Sequence, residues 1–294
     1  MKAKIQTILV TGADGQLGKE LQALAPGYPT YQFLFVTKEK LPIDDAEAVS
    51  TYFNGHSIEY CINCAAYTAV DKAESEAETA FLINAQATAN LAKVCLEHEV
   101  RFIHISTDYV FDGTAKQPYK ETDATNTMGV YGESKLKGEE LALQNDPSTI
   151  IIRTSWLYSS FGNNFVKTMI RLMKEKKSIN VVNDQFGSPT YAADLASAIM
   201  KTITTSRRKK KQGIYHYANA GSTNWYEFAV MIKKLIGSKC IINPIPTSQY
   251  TTAAKRPQYT VLDTAKIQQS FNIEIPAWED SLKDCITKIK SAGL

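Results

Sequence analysis

Cysteine is scarce in this sequence, long apolar runs are missing from it, and neither sign of charge dominates. Five cysteines occur among 294 residues, and an odd number in a chain of this length argues against a disulfide framework. No apolar run approaches the ~18 residues that a membrane span needs. The start, Met1-Lys2-Ala3-Lys4, has no apolar segment or cleavage site of a secretory signal. We therefore expect a cytoplasmic protein without a membrane partner.

The small net charge argues against nucleic acid as a partner. Lysine and arginine number 33 against 30 acidic residues, a net charge of +3, which is too small for a surface that binds nucleic acid. The basic run Arg207–Lys211 has no aromatic residues interleaved. This run therefore predicts a solvated loop before a strand.

Cys61 and Cys64 have the C-x-x-C spacing that zinc and redox sites use. No second C-x-x-C is present to complete a zinc site. Alternation along a strand would point the two thiols to opposite faces of a sheet. We therefore expect both cysteines to pack in the core.

Short strand-like runs alternate with helical patterns through the first half of the sequence. Because these strands are apolar on both faces, the pattern predicts an α/β fold with a parallel sheet covered on both sides. We expect a Rossmann-type doubly wound sheet in residues 1–155. A smaller substrate-binding region, interleaved with the last strands of the sheet, should follow in residues 156–294. The predicted strands are Ile8–Val10, Tyr31–Val36, Ile58–Asn63, Phe102–Ser106, Thr149–Arg153 and Ile214–Tyr217, and the predicted helices are Leu17–Leu24, Asp45–Phe53, Glu74–Glu97, Ser134–Leu143, Phe165–Lys176, Ala192–Ile203, Trp225–Ile236 and Trp278–Lys290.

Three glycines, Gly12, Gly15 and Gly18, directly follow the first predicted strand and open a helix. Glycine permits a tight turn and a close approach of the backbone to a pyrophosphate, and the helix N-terminus supplies free N–H groups. The position of this turn predicts a dinucleotide site. Lys38 follows the second strand and would attract a 2′-phosphate, which favours NADPH, with NADH as an accepted alternative. Glu39 comes next and weakens that preference.

A second signal is the pair Tyr131 and Lys135, which lie four residues apart on one face of a predicted helix. A nearby ammonium group stabilises a phenolate, so we expect Lys135 to lower the pKa of Tyr131 and to favour proton transfer. Thr107 ends the fourth strand region, at the edge of the sheet where ligands bind. Its hydroxyl could hydrogen-bond a substrate carbonyl beside Tyr131.

Together these residues resemble the Thr/Ser–Tyr–Lys set of the extended short-chain dehydrogenase/reductase family. Longer motifs sharpen the match to the dTDP-4-dehydrorhamnose reductases within it, and the similarity extends from Ile8 to about Trp278. Those motifs are Asn63–Glu74, Ser106–Gly113, Arg153–Tyr158, Gly162–Phe165 and Asn183–Thr190.

The resemblance implies reduction of dTDP-4-dehydro-β-L-rhamnose to dTDP-L-rhamnose, a precursor of cell-surface polysaccharide. Tyr131 would donate the proton, Lys135 would hold the ribose, Thr107 would orient the carbonyl oxygen, and Asn84 matches a relay asparagine. The implied cofactor-binding residues are Gly12, Gly15, Gln16, Leu17, Gly18, Lys38, Ile43, Ala65, Ala66, Tyr67, Thr68, Tyr131 and Lys135. The implied substrate-binding residues are Val70, Thr107, Asp108 and Trp156.

Two departures from the family pattern matter. The family often carries an Asp beside the adenosine, where this sequence has Pro42 before Ile43. Some relatives dimerise around magnesium held by glutamates; Glu20 is retained here, but the segment Pro189–Leu195 contains no glutamate. We therefore predict no structural metal, and a monomer or a homodimer.

Three other functions are compatible with parts of the pattern. A nucleotide-sugar dehydratase would follow the threonine with Asp-Glu, whereas Asp108-Tyr109 follows Thr107 here, so the catalytic base is missing. A nucleotide-sugar epimerase stays open. So does a non-catalytic regulatory subunit of the methionine adenosyltransferase type, which resembles the same reductases.

Overall fold

Short runs rich in β-branched and aromatic residues form the strands of the computed structural model, which describes residues 5–206 and 211–293. In that part of the chain the strands are β1 (Gln6–Thr11), β2 (Tyr31–Val36), β3 (Tyr60–Asn63), β4 (Arg101–Thr107), β5 (Ile150–Thr154), β6 (Leu157–Tyr158), β7 (Ser178–Val182), β8 (Phe186–Gly187), β9 (Thr190–Tyr191), β10 (Gly213–His216), β11 (Thr223–Asn224) and β12 (Ile241–Ile245).

Six of these strands form a central parallel sheet in the order β10-β5-β4-β3-β1-β2. The order reverses at β1, next to β3, so the crevice for a ligand opens beyond the carboxyl ends of these two strands. β10 comes from the second half of the chain and pairs with β5. The predicted Rossmann-type α/β fold is confirmed, while the boundary between the two predicted regions stays a prediction.

Helices cover the sheet on both faces. They are α1 (Gln16–Leu24), α2 (Ala46–Gly55), α3 (Val70–Ala73), α4 (Ala77–Phe81), α5 (Ala87–Glu97), α6 (Val130–Asn145), α7 (Phe165–Glu175), α8 (Ala192–Ser206), α9 (Trp225–Ile236), α10 (Ala265–Phe271) and α11 (Trp278–Ser291). Buried side chains of α1, α8 and α10 pack on one face, and those of α2, α5 and α6 pack on the other. Cys61 belongs to the second of these cores and Cys64 packs against the first, so the predicted opposite orientation is confirmed.

A separate core lies in the C-terminal half, where α7, α9 and α11 pack around the parallel pair β7 and β12. Tyr158, Phe228 and Trp278 lie at its centre. The basic run predicted as a loop falls mainly on residues 207–210, which lie outside the described residues. No helix in the described part of the chain is long and apolar enough to cross a membrane.

The long helix predicted over Glu74–Glu97 is wrong in detail. The helix begins only at Ala77 and runs without a gap through α4, a π-helical turn at Leu82–Gln86 and α5 to Glu97, whereas α3 is a separate short helix before it. Such turns widen a helix locally and often mark functional sites. This turn contains Asn84, and it brings the Asn84 side chain against the chain segment that follows β3. α6 also begins four residues earlier than Ser134, so Tyr131 lies in its first turn.

Candidate active site

The sequence-predicted site residues gather on the wall of one cavity of about 730 Å³ at the carboxyl ends of the sheet strands. Its size lies within the ~300–1,000 Å³ usual for ligand pockets. The predicted residues on this wall are Gly12, Gly15, Gln16, Leu17, Gly18, Lys38, Ile43, Ala65, Ala66, Thr68, Val70, Thr107, Asp108, Tyr131, Lys135 and Trp156. Tyr67 is not among them, because its hydroxyl turns away and donates to Glu76 at 2.6 Å.

The three glycines of the turn have different roles in its geometry. Gly12 has a φ of +62°, and a Cβ there would lie 2.7 Å from the backbone nitrogen of Ala65. A Cβ at Gly18 would lie 2.4 Å from the carbonyl oxygen of Gly12. A Cβ at Gly15, the residue before α1, would meet only that same oxygen, at 3.2 Å. Gly12 and Gly18 are therefore required by the fold, whereas Gly15 leaves space beside a helix N-terminus, which suits a pyrophosphate.

The far end of the cavity carries charges of both signs. Lys38 is exposed two residues beyond β2 and lines the wall, as do Leu41 and the buried Ile43. Asp44 lines the same wall and was missed from the sequence. A carboxylate is thus present on this wall two positions after Pro42.

Asn84 holds the segment between β3 and α3 that forms one side of the cavity. Its side-chain oxygen accepts from the backbone N–H of Tyr67 at 2.8 Å, and its amide nitrogen donates to the Tyr67 carbonyl at 3.0 Å. The same nitrogen donates to the hydroxyl of Ser134 at 3.0 Å. Asn84 therefore ties α6 to the chain that presents Ala65 and Ala66 to the cavity.

Lys135 is a buried cation on the cavity floor. Its Nζ donates to the carbonyl oxygen of Ile105 at 2.7 Å and lies 3.3 Å from Nε2 of His104. Burial lowers the pKa of Lys135 to about 8, although the charges of Glu139 and Cys64 act in the opposite direction. The lysine therefore changes protonation close to neutral pH.

Tyr131 lies one helical turn before Lys135, and its ring packs edge-on against Tyr109 at 5.5 Å between centroids. Burial raises the pKa of Tyr131, a hydrogen bond with Thr107 opposes the rise, and the charge of Asp108 adds to it. The expectation of an acidic tyrosine is therefore wrong for this structure, because burial dominates the pKa of Tyr131. A hydroxyl that stays protonated at neutral pH is nevertheless what a proton donor requires.

Thr107 is the last residue of β4, and Asp108 follows it directly. The Thr107 hydroxyl donates to the Asp108 carboxylate at 3.1 Å and accepts from the backbone N–H of Tyr109 at 3.2 Å. It would have to rotate away from Asp108 to donate to a substrate carbonyl. Burial raises the pKa of Asp108 to about 6, although the nearby hydroxyls of Thr260 and Thr107 act in the opposite direction.

Trp156 forms an aromatic wall in a strained backbone conformation. Its φ is +45°, a left-handed value that bulky residues rarely adopt. The indole stacks on Trp225 with centroids 3.5 Å apart and planes at 7°. A Cβ at Gly187 would lie 2.5 Å from the same indole. The ring is thus held between Trp225 and Gly187, with part of it on the cavity wall.

A second cavity of about 860 Å³ includes Lys255, Arg256 and the aromatic side chains of Phe186, Tyr250 and Tyr259 in its lining. Arg256 donates to the Tyr109 hydroxyl at 3.2 Å, and the Tyr109 ring packs on Tyr131. The side chain of Tyr109 therefore lies between Arg256 and Tyr131. Arg256 also donates to Asp71 at 2.7 Å. Its Nε is buried without a hydrogen-bond partner among the described residues. The sequence pattern gave no signal for this arginine, which lies about 120 residues from Tyr131 in the chain.

Glu20 is buried and already paired. Its carboxylate accepts from the Ser159 hydroxyl at 2.6 Å and lies 4.0 Å from Nζ of Lys288. Within residues 5–206 and 211–293 no cluster of three or more His, Cys, Asp or Glu side chains is arranged to hold a metal. The absence of a structural metal stays a prediction.

Comparisons with known proteins agree on one family. Residues 6–291 match the family model described as the RmlD substrate binding domain. A dTDP-4-dehydrorhamnose reductase from Aggregatibacter actinomycetemcomitans is 40% identical over 285 residues, which cover 94% of this chain and 97% of the relative.

Two solved structures superpose closely on the chain. A dTDP-4-dehydrorhamnose reductase from Clostridium acetobutylicum is 40% identical, with a TM-score of 0.92 and coverage of 97% of this chain and 100% of that one. The Bacillus anthracis dTDP-4-dehydrorhamnose reductase, solved in complex with NADP, is 38% identical with a TM-score of 0.91. Its alignment covers 96% of this chain and 99% of that one.

Proposed function

This chain belongs to the family of dTDP-4-dehydrorhamnose reductases, and from that membership and the cavity geometry we propose that it reduces dTDP-4-dehydro-β-L-rhamnose to dTDP-L-rhamnose. It is an NAD(P)H-dependent oxidoreductase of nucleotide-sugar biosynthesis. The observation that carries the proposal is the meeting of Thr107, Tyr131 and Lys135 on the wall of the cavity that the Gly12–Gly18 turn opens.

The cavity fits a dinucleotide at both ends. The Gly15 backbone leaves the space that a pyrophosphate needs, and Lys38 offers a cation for a 2′-phosphate. NADPH, when bound, supplies the hydride that reduces C4 of the sugar. We place Ala65, Ala66 and Thr68 along it, with Tyr67 contributing only through its backbone.

Tyr131 supplies the proton that completes the reduction. As the carbonyl carbon gains the hydride, its oxygen becomes an alkoxide and takes the hydroxyl proton of Tyr131, and the phenolate left behind is reprotonated from solvent. The ammonium of Lys135 holds the ribose and stabilises that phenolate while it exists. Thr107, with its hydroxyl turned from Asp108, fixes the carbonyl oxygen within reach of Tyr131.

The sugar ring lies between Val70, Asp108 and the Trp156 wall in this proposal. Its diphosphate extends past Tyr109 toward Lys255 and Arg256, since these cations border the second cavity. Guanidinium groups pair well with phosphate oxygens, so the diphosphate would compete with Asp71 for Arg256. Because a nucleotide sugar is highly charged and does not cross a bilayer unaided, we place the reaction in the cytoplasm.

A cofactor-oxidation assay tests the proposal. Purified protein receives the 4-keto nucleotide sugar with NADPH or with NADH, and absorbance at the reduced nicotinamide band is followed. Stoichiometric oxidation of cofactor with formation of the 4-hydroxy sugar is expected. No net oxidation, with the C4 configuration of a 4-hydroxy sugar inverted instead, would indicate an epimerase. No turnover of any nucleotide sugar, together with binding to a methionine adenosyltransferase, would indicate the regulatory-subunit alternative.

A further inference from the structure

A buried chain of polar side chains runs beneath the cavity floor from Lys135 to the turn of glycines. Nζ of Lys135 is 2.7 Å from the Ile105 carbonyl oxygen and 3.3 Å from Nε2 of His104. An ammonium group has three donors and no acceptor. When Nε2 of His104 carries no proton, a charged lysine donates two of its three protons to β4 and keeps the third for the cavity.

His104 is held by a second pair of buried groups. Its Nδ1 lies 3.1 Å from Nδ2 of Asn63, and Oδ1 of Asn63 accepts from the Thr11 hydroxyl at 2.6 Å. His104 and Asn63 have no exposed surface and Thr11 has 1%. Thr11 is the last residue of β1, so this row of hydrogen-bonded side chains ends at the residue directly before Gly12.

The direction of these hydrogen bonds depends on the protonation of Lys135. In the observed arrangement Nδ2 of Asn63 donates to Nδ1, so the imidazole proton is on Nε2 and faces a neutral lysine amine. An ammonium needs an acceptor at Nε2, which puts the proton on Nδ1. The Asn63 amide then has to turn over and present its oxygen to Nδ1. His104 and Asn63 can therefore satisfy both forms of the lysine, and the Thr11 hydroxyl changes from donor to acceptor toward Asn63 when the amide turns over.

We propose that His104 is a positioning residue that holds Nζ of Lys135 under the cavity in both protonation states, with its tautomer and the Asn63 amide switching together. The inference deepens the proposed function, since it rests on the role given there to Lys135. In this role His104 orients the Lys135 ammonium so that one of its N–H groups points at the ribose and at Tyr131.

Removal of His104 should change the pKa of Lys135 in a defined direction. The bond from the ammonium to Nε2 is charge-assisted and stronger than the neutral bond that replaces it. Loss of the imidazole therefore destabilises the charged form of Lys135 more than the neutral form, which lowers the pKa of Lys135 further. The other titratable groups that face this lysine are Glu139 and Tyr131 on α6 and Cys64 beyond β3, and all are unchanged in such a variant.

The tautomer switch can be observed in the wild-type protein without substrate. The sequence has four histidines, so ¹⁵N-histidine labelling gives few signals, and the His104→Gln spectrum assigns the one of interest. His104 is neutral throughout, because burial and then the charge of Lys135 hold its pKa well below the usual value. We expect Nδ1–H below a pH of about 8, where Lys135 is charged, and Nε2–H above it. One tautomer at every pH would overturn the proposal.

His216 is the matched control for this measurement. It is also buried, and its Nδ1 lies 3.0 Å from the Tyr119 carbonyl oxygen, which can only accept. It should stay in the Nδ1–H form across the whole range. Because no nucleotide sugar is present, a failed assay for reductase activity and a failed tautomer switch are separate results.

Kinetics of two variants give an independent test. In His104→Leu the alkaline limb of kcat/KM should move to lower pH by about one unit, the difference expected between a charge-assisted and a neutral bond. His104→Gln supplies an amide oxygen to Nζ and should restore the wild-type limb. Thermal unfolding of both variants is followed in parallel. An alkaline limb that coincides in wild type and His104→Leu, with both folded, would refute the switch.

Discussion

Replacement of Tyr131 by phenylalanine removes the proposed proton donor and leaves the ring packing in place. The ring keeps its edge-on contact with Tyr109, while the hydroxyl and its hydrogen bond with Thr107 are lost. General acid catalysis contributes roughly 10²–10⁴ in rate, which corresponds to about 2.7–5.5 kcal/mol of transition-state stabilisation. We expect kcat to fall within that range, because water can still protonate the alkoxide slowly. Affinity for NADPH should change little.

The assay is single-turnover oxidation of NADPH by the 4-keto nucleotide sugar, measured across pH. Because the pKa of Tyr131 is raised, the hydroxyl stays protonated, and an alkaline loss near pH 8 in the wild type should follow Lys135 instead. Tyr28→Phe, outside the cavity, should retain the wild-type rate. Tyr109→Phe loosens Arg256 and should raise KM for the nucleotide sugar more than it lowers kcat. A Tyr131→Phe enzyme with near-native turnover would refute the assignment.

Three further changes test other parts of the structure. Gly15→Val fills space beside the helix N-terminus, so NADPH binding should be lost while the unfolding temperature stays near wild type; unaltered cofactor titration would show that the turn is only structural. Lys38→Asp should reverse a NADPH preference of roughly severalfold, since exposed pairs contribute about 0.2–1 kcal/mol, and an unchanged ratio of kcat/KM for NADPH and NADH would remove Lys38 from the site. Glu139→Gln leaves the buried Arg153 without its counter-ion at 2.6 Å, and urea unfolding should show a loss of about 3–5 kcal/mol. The exposed control Glu140→Gln should cost less than about 1 kcal/mol, and equal losses would contradict the argument.

Local pattern predicted the fold well where a strand or helix is specified by its own residues. The strand Tyr31–Val36 and the helix Trp225–Ile236 form with the predicted bounds. The helix predicted over Glu74–Glu97 begins only at Ala77 and contains a π-helical turn, from which the Asn84 side chain makes hydrogen bonds to Tyr67 on another segment. A periodic pattern carries no information about such a contact.

The acidified tyrosine was a reasonable expectation from spacing alone, and it was wrong for a physical reason. Spacing places Lys135 one turn from Tyr131, but it does not say how deeply both are buried. Removal from water disfavours the phenolate and the ammonium alike, so the pKa of Tyr131 rises while that of Lys135 falls. The protonated hydroxyl that results still suits the proposed donor.

The parallel sheet, the glycine turn and the Thr107–Tyr131–Lys135 set could all be predicted from local patterns, because each is encoded in a short segment with its own periodicity or spacing. Folding was needed to bring Arg256 against Tyr109, to place Asp44 on the cavity wall and to set His104 beneath Lys135. These contacts join residues from different elements or different turns of a loop. Their energies depend on distance and burial, which exist only once the chain has folded.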